Sequence, residues 1–296
     1  MPITDLARRL WRLILRSTWR FLFDDGLALA SNIAFSVLMS LFPFLILLAA
    51  IPSYFGGDAL MAEIRVGLFS LFPGAIAGAL EPEVVSVLSQ NQGGILTFGI
   101  VILLLTITSA IESIRYGLNR AYGGRDRRSF LFRRVQSILF VLGGGAVLLL
   151  TALLAVAVPL AFHYLEPHVP HLSDLRAVVE FARLGLIVLV LAAFLFAMHH
   201  WLPARRQGLR ELAPGVLATL VLWFVSGWGF SWYLSHFATY ARTYAGLAGA
   251  VATLMFFYIA AVVLLYGAEF NAALLRLWPT EGEAAARLAE EPKSES

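Results

Sequence analysis

The 296-residue sequence contains no cysteine and a single lysine, Lys293. Without cysteine there is no disulfide framework, no thiolate metal site and no thiol nucleophile. Charge is scarce as well: Asp, Glu, Lys and Arg make up 14% of the chain, against roughly 25% in an average soluble protein. Hydrophobic residues reach 59% and the mean hydropathy is +0.79. A water-soluble domain of this length would have to bury more apolar surface than one or two cores hold. That excludes an ordinary soluble enzyme, and the same composition excludes a disordered chain. Also missing are a Walker loop, a G-x-S-x-G elbow, an H-E-x-x-H pair and a dinucleotide fingerprint. The expectation is a protein that is not an enzyme, with no catalytic residues, no cofactor and no metal.

What is present is long runs free of Asp, Glu, Lys and Arg. Six exceed twenty residues: 26–57, 84–111, 135–165, 184–204, 212–241 and 243–268. About 20 apolar residues in a helix span the hydrocarbon core. The runs do not alternate apolar with polar residues, as Ile100, Val101, Ile102, Leu103, Leu104 and Leu105 show, so a β-barrel is disfavoured. The sequence therefore predicts an all-α polytopic membrane protein with six transmembrane helices. A seventh run, 66–80, is too short to span and contains Pro73; it reads as an interfacial or re-entrant segment. The first long run lies behind five arginines and exceeds the length of a signal-peptide core, so a cleavable signal is disfavoured.

Basic residues set the expected orientation. Five arginines precede the first span, and seven lie between the second and third: Arg115, Arg120, Arg125, Arg127, Arg128, Arg133 and Arg134. Arg205, Arg206 and Arg210 follow the fourth, and Arg276, Arg287 and Lys293 end the chain. Only Arg65, Arg176, Arg183 and Arg242 fall on the other side. The asymmetry predicts both termini in the cytosol of a bacterial inner membrane. It also accounts for the arginines without nucleic acid.

Three parts are expected. Residues 1–25 hold an amphipathic helix over 4–23, with Arg8, Arg12, Arg16 and Arg20 on one stripe and Leu6, Leu10, Leu13, Ile14 and Phe21 on another. This pattern suits an interfacial position on an anionic leaflet. Residues 26–278 form the transmembrane domain. Residues 279–296 form a flexible acidic tail. Outside the bilayer, 58–92 suits short surface helices. The loop 163–183 carries His163, His168 and His171 beside Glu166, a set that lacks zinc-site spacing. His199 and His200 beside Trp201 read as interfacial anchors. Gly143, Gly144 and Gly145 read as a helix-packing surface, as do Gly227 and Gly229. Trp223, Trp228, Trp232, Tyr233, Tyr240 and Tyr244 read as an interface belt, with a lipid-contact groove as the sharper alternative.

Polar groups within the spans are the candidates for function, because each is costly in lipid. Counting along the helices puts Asn32, Glu112, Asn119, Glu269 and Asn271 in the cytosolic third, with Arg115 one turn from Glu112. One reading makes them helix-bracing groups, with Glu112 paired to Arg115. The other is a polar cavity open to the cytosolic leaflet, lined by Asn32, Glu112, Asn119 and Glu269. Arg115 or Arg120 would then meet an anionic headgroup, and Glu112 and Glu269 would be available for proton coupling.

Leu29, Ala30, Ser31, Asn32, Ile33, Ala34 and Phe35, followed by Ser40, Leu41, Phe42 and Pro43, resemble the first-span motif of the YihY/BrkB family of bacterial inner-membrane proteins. Ser113, Ile114, Leu118, Asn119, Arg120, Ala121 and Tyr122 are similar to its second-span end. Pro203, Pro214, Gly215, Tyr233, the stretch from Tyr244 to Ala248, Tyr258 and the stretch from Leu264 to Glu269 continue in the family's order. Ala245 departs from a common Gly, and Phe256 and Phe257 replace a Trp-containing stretch. The resemblance implies a six-span inner-membrane protein whose relatives have carried the labels ribonuclease BN and virulence factor. A ribonuclease needs a clustered metal site in water, and no soluble domain exists here to hold one. The expectation is a role in envelope lipid handling or transport, with membrane lipids as partners. The alternative is a non-catalytic scaffold that docks an envelope protein or a second copy of itself.

Overall fold

The computed structural model describes residues 3–55, 93–165, 172–243 and 247–277, together with Gly78 and His168. The described residues are helical apart from short connections. The helices are α1 (Ile3–Phe23), α2 (Gly26–Phe55), α3 (Gly93–Tyr122), α4 (Phe130–Leu165), α5 (Leu172–Trp201), α6 (Leu209–Thr243) and α7 (Leu247–Leu277). The expected surface helices of 58–92, the short run 66–80 and the tail 279–296 lie outside the described residues. So do Glu166, His171 and the side chains of His163, Tyr240 and Tyr244.

Among the described residues, four helical segments are long and apolar enough to cross a membrane: Phe130–Phe162, Arg176–Trp201, Leu209–Ser235 and Gly249–Leu277. A bent pair, Arg8–Phe23 with Gly26–Ser40, makes a fifth if it counts as one span. The first and second expected spans run partly through residues that are not described.

Packing concentrates at one end of the bundle, where α2, α4 and α6 begin and α3, α5 and α7 finish. Ala30 and Ile33 of α2 meet Ile114, Leu118 and Tyr122 of α3, and Leu264, Leu265 and Ala268 of α7. Leu195, Met198 and Leu202 continue that core into α5, and Leu212 and Val216 into α6. Away from this end many of the described apolar side chains point outward. Phe224 is 80% exposed and Phe181 81%, exposures that lipid tails solvate and water does not.

The loop expected over 163–183 is mostly helix. α4 continues to Leu165 and α5 starts at Leu172. The charges that suggested a loop are accommodated on the helix: Arg183 pairs with Glu180 one turn back, and its Nη1 donates to the Ala155 carbonyl at 2.9 Å. The glycine readings divide. A Cβ on Gly144 would lie 3.2 Å from the Phe194 ring, so this glycine does serve packing between α4 and α5. Cβ atoms on Gly227 and Gly229 would meet nothing within 4 Å among the described residues, so they are not a packing surface there.

Candidate functional site

The six polar candidates fall into different surroundings, which begin with the corner between α1 and α2. The two helices meet at 65° across Asp24 and Asp25. Asp25 has a positive φ of 54°, a conformation that Asp tolerates better than most residues. Gly26 follows because a Cβ there would collide with the Phe21 ring and carbonyl. Ion pairs hold the corner from both sides. Arg120, at the end of α3, reaches Asp25 at 2.8 Å and Asp24 at 3.6 Å. Arg20 reaches Asp24 at 3.4 Å and, through Nε, the buried carboxylate of Glu269 on α7 at 3.1 Å. Glu269 therefore joins α1 to α7. Its Arg20 and Asp24 neighbours were not among the sequence candidates.

Asn271 lies two residues further along α7 and is fully buried. Its Oδ1 accepts from the Gly215 N–H at 2.7 Å, and its Nδ2 donates to the Leu212 carbonyl at 3.1 Å. α6 presents both groups beside Pro214, which carries no N–H. The helix starts after Gly208, whose N–H donates to the Glu211 carboxylate at 2.8 Å, the N3 half of a capping box. The backbones of α6 and α7 come together here through small residues. A Cβ on Gly215 would collide with Asn271 and the Gly267 carbonyl, and one on Gly267 would collide with Thr219. Gly215 and Thr219 have the spacing of a small-xxx-small motif, and they cross the other helix at Gly267 and Asn271.

Tyr122 extends this cluster. Its hydroxyl lies 3.4 Å from Asn271 Nδ2 and 2.7 Å from His199 Nδ1. His199 is completely buried, which corrects the expectation of an interfacial anchor. The reason is that α5 turns it inward onto Tyr122 and leaves Trp201, 51% exposed, as the interfacial side chain. His200 binds the Gln207 carbonyl through Nδ1 at 2.7 Å. Trp223 also departs from the expected belt: its Nε1 donates to the Ala260 carbonyl at 2.9 Å, whereas Trp228 and Trp232 face outward.

Arg115 and Asn119 brace the ends of neighbouring helices. Arg115 is 1% exposed. Its Nη2 donates to the Arg133 carbonyl, Gln136 and Ser137 of α4, at 3.2, 3.1 and 3.0 Å. Its Nη1 sits 2.5 Å from the Glu112 carboxylate, the pairing that the sequence spacing suggested. Asn119 Oδ1 accepts from the Ala204 N–H at 2.7 Å. Arg128, from the arginine-rich segment, donates to the carbonyls of Trp201, Leu202 and Pro203 at 3.1, 3.3 and 2.7 Å. It thereby closes the C-terminus of α5, where a cation is favoured. Sequence reading assigned that arginine to membrane orientation alone.

Asn32 and Glu112 differ from the rest. Asn32 is exposed on α2, and its Oδ1 accepts from Ser113 of α3 at 2.7 Å and from Ser36 at 3.4 Å. The Glu112 side chain is 34% exposed although its partner Arg115 is buried. Asn32 and Ser113 form a polar track across the α2–α3 seam, with exposed Ser31 and Ser109 on the same two helices; Glu112 is one residue from Ser113 and is paired to Arg115, which faces α4. Exposed Phe35 and Met39 lie beside it on α2. Antiparallel pairing of Asn32 with Ser113 puts the track about 10–15 Å into the helices, at 1.5 Å per residue. Among the described residues no three His, Asp or Glu side chains are grouped to hold a metal.

Comparison with known proteins agrees with the helical, apolar architecture. The chain is 29% identical over 260 residues to the ribonuclease-like protein YfkH of Bacillus subtilis, covering 86% of this chain and 92% of that protein. It is 28% identical over 284 residues to a UPF0761 membrane protein of Aromatoleum aromaticum. A UPF0761 membrane protein of Chromohalobacter salexigens is 29% identical over 286 residues. The chain spans 65% of the length of each of these two UPF0761 relatives. No solved structure matches it. The profile of the family described as virulence factor BrkB matches residues 18–292, nearly the whole membrane region and the α1–α2 corner, so the chain belongs to the BrkB family of membrane proteins.

Proposed function

We propose that this protein handles lipids of the bacterial envelope, moving or presenting a headgroup along the α2–α3 seam. It does so as a six-span protein of the inner membrane with both termini in the cytosol. The supporting observation is the exposed Asn32–Ser113 pair on the α2–α3 seam, with the part-exposed carboxylate of Glu112 next to Ser113 on α3, among outward-facing apolar side chains. A carboxylate and a carboxamide at that depth are unfavourable against acyl chains. A passing headgroup with its water supplies the polar partner that acyl chains cannot. Arg115 lies beneath Glu112 and holds it in place. Asn119 braces α3, one of the two seam helices, while Glu269 and Asn271 tie α7 to α1 and α6 beside it.

The test is lipid movement in proteoliposomes made with native inner-membrane lipids and a trace of fluorescent phospholipid. The wild-type protein accelerates transfer between leaflets, and Glu112→Gln and Asn32→Leu slow it at least several-fold while remaining monodisperse. Movement at the protein-free rate, with and without a proton gradient, overturns the reading. Because the chain lacks cysteine, Asn32→Cys is a single-site reporter without further engineering. A water-soluble maleimide labels it in membranes if the seam is wet, and full protection contradicts the proposal.

A further inference from the structure

α5 is held differently along its two halves. At the end carrying Trp201 it is fixed to the rest of the bundle. Leu195, Met198 and Leu202 enter the common core. Tyr122 of α3 lies 2.7 Å from His199, and Asn119 of α3 accepts from the Ala204 N–H. The start of α4 is fixed at the same level, by Arg115 of α3. Arg128 just before α4, and Gln136 within it, donate to the carbonyls of Trp201, Leu202 and Pro203. This end is a foot shared by α4 and α5, and the core that joins it to α3, α6 and α7 reaches Val141 of α4 and Phe194 of α5.

In the other half α5 leans on α4. Phe194 packs against Gly144 and Phe140. About three turns away, on the same stripe of the helix, Arg183 donates to the Ala155 carbonyl of α4. That carbonyl is open because the N–H four residues on would belong to Pro159, and proline has none. Such a gap is a usual place for a helix to bend. Here Arg183 fills it from α5 at 2.9 Å, and Glu180 pairs with the same guanidinium. The two helices are thereby braced against bending within the pair. The opposite side of α5 is open: Val178, Phe181, Gly185, Val188 and Leu189 are exposed. A Cβ on Gly185 would meet nothing within 4 Å among the described residues, and the same holds for Gly227 and Gly229 at the corresponding level of α6.

A braced pair that is fixed at one end keeps one soft motion, rotation about that end. We infer that α4 and α5 move as a rigid arm pivoting on the shared foot, and that the swing opens and closes a gap between α5 and α6 to the surrounding acyl chains. Arg183 is the brace that makes the arm one body. The inference does not rest on lipid movement along the α2–α3 seam.

Distances between pairs of spin labels, measured by electron paramagnetic resonance on the full chain in nanodiscs of phosphatidylethanolamine and phosphatidylglycerol, test this. The chain has no cysteine, so each pair is introduced alone, at exposed positions. Leu142→Cys with Val178→Cys reports within the arm, Leu139→Cys with Leu217→Cys across the foot, and Val178→Cys with Val225→Cys across the gap. The arm and foot pairs give single narrow distributions, and the gap pair is at least twice as broad or splits in two. A gap pair as narrow as the arm pair overturns the swing. An arm or foot pair as broad as the gap pair overturns the rigid body or its pivot. Arg183→Leu broadens the arm pair, and adding Pro159→Ala narrows it again by returning an N–H to the Ala155 carbonyl. An arm pair unmoved by Arg183→Leu refutes the brace. If Arg183→Leu does not fold, the three pairs in the otherwise unaltered chain still decide the swing.

Discussion

Asn271 and Asn32 carry the same carboxamide at similar distances from the packed end of the bundle, and the protein treats them in opposite ways. Asn271 has no exposed surface, and both ends of its amide are satisfied by the backbone of α6. Asn32 is exposed, and two serine hydroxyls leave its amide nitrogen available. The first arrangement fixes helices. The second offers hydrogen-bonding capacity to whatever passes, at some cost in stability. Polarity inside a membrane protein is therefore a guide to function only after the polar groups already committed to backbone are set aside.

The difference can be broken most severely at the α6–α7 crossing. Gly267→Val forces a side chain into Thr219, and overpacking of this kind costs about 3 kcal/mol or more when neither backbone can retreat. The expected outcome is loss of the monodisperse peak in size-exclusion chromatography. Asn271→Leu conserves volume but leaves the Gly215 N–H and the Leu212 carbonyl without their side-chain partner. A loss of about 1–3 kcal/mol follows, read as a lower midpoint in denaturant titration in micelles. Asn32→Leu lies at the other extreme. It removes an exposed amide bonded only to hydroxyls, so its stability change stays within about 1 kcal/mol, while lipid movement falls. A midpoint shift for Asn32→Leu as large as that for Asn271→Leu would erase the distinction between the two sites.

Much of the helical framework was legible because absence of charge is a direct record of contact with lipid. The amphipathic helix was placed within a residue of its observed start by a four-residue arginine repeat. The beginning of α5 was not, because Asp174, Arg176, Glu180 and Arg183 resemble loop residues until their pairing on the helix is seen. The site was legible where its contacts are local. Glu112 and Arg115 are three residues apart, and their pairing follows from helical geometry. Gly215 and Asn271 are separated by 56 positions, and no local period links them. Pro214 was the available signal, since a proline near a helix start leaves backbone groups that some side chain must meet. His199 escaped for a similar reason: Tyr122, its partner, lies 77 residues earlier.

The corner at Asp24 and Asp25 has a mechanical consequence. A helix lying across the ends of others, and tied to α3 through Arg120 and to α7 through Arg20, works as a depth stop. A bundle without one adjusts to a thicker or thinner bilayer by tilting or sliding as a whole. On the proposed placement of α1 at the membrane surface, that end is moored and adjustment falls on the opposite ends of the helices. The opening of the α2–α3 seam then keeps its height relative to the nearer headgroup layer when the membrane changes thickness.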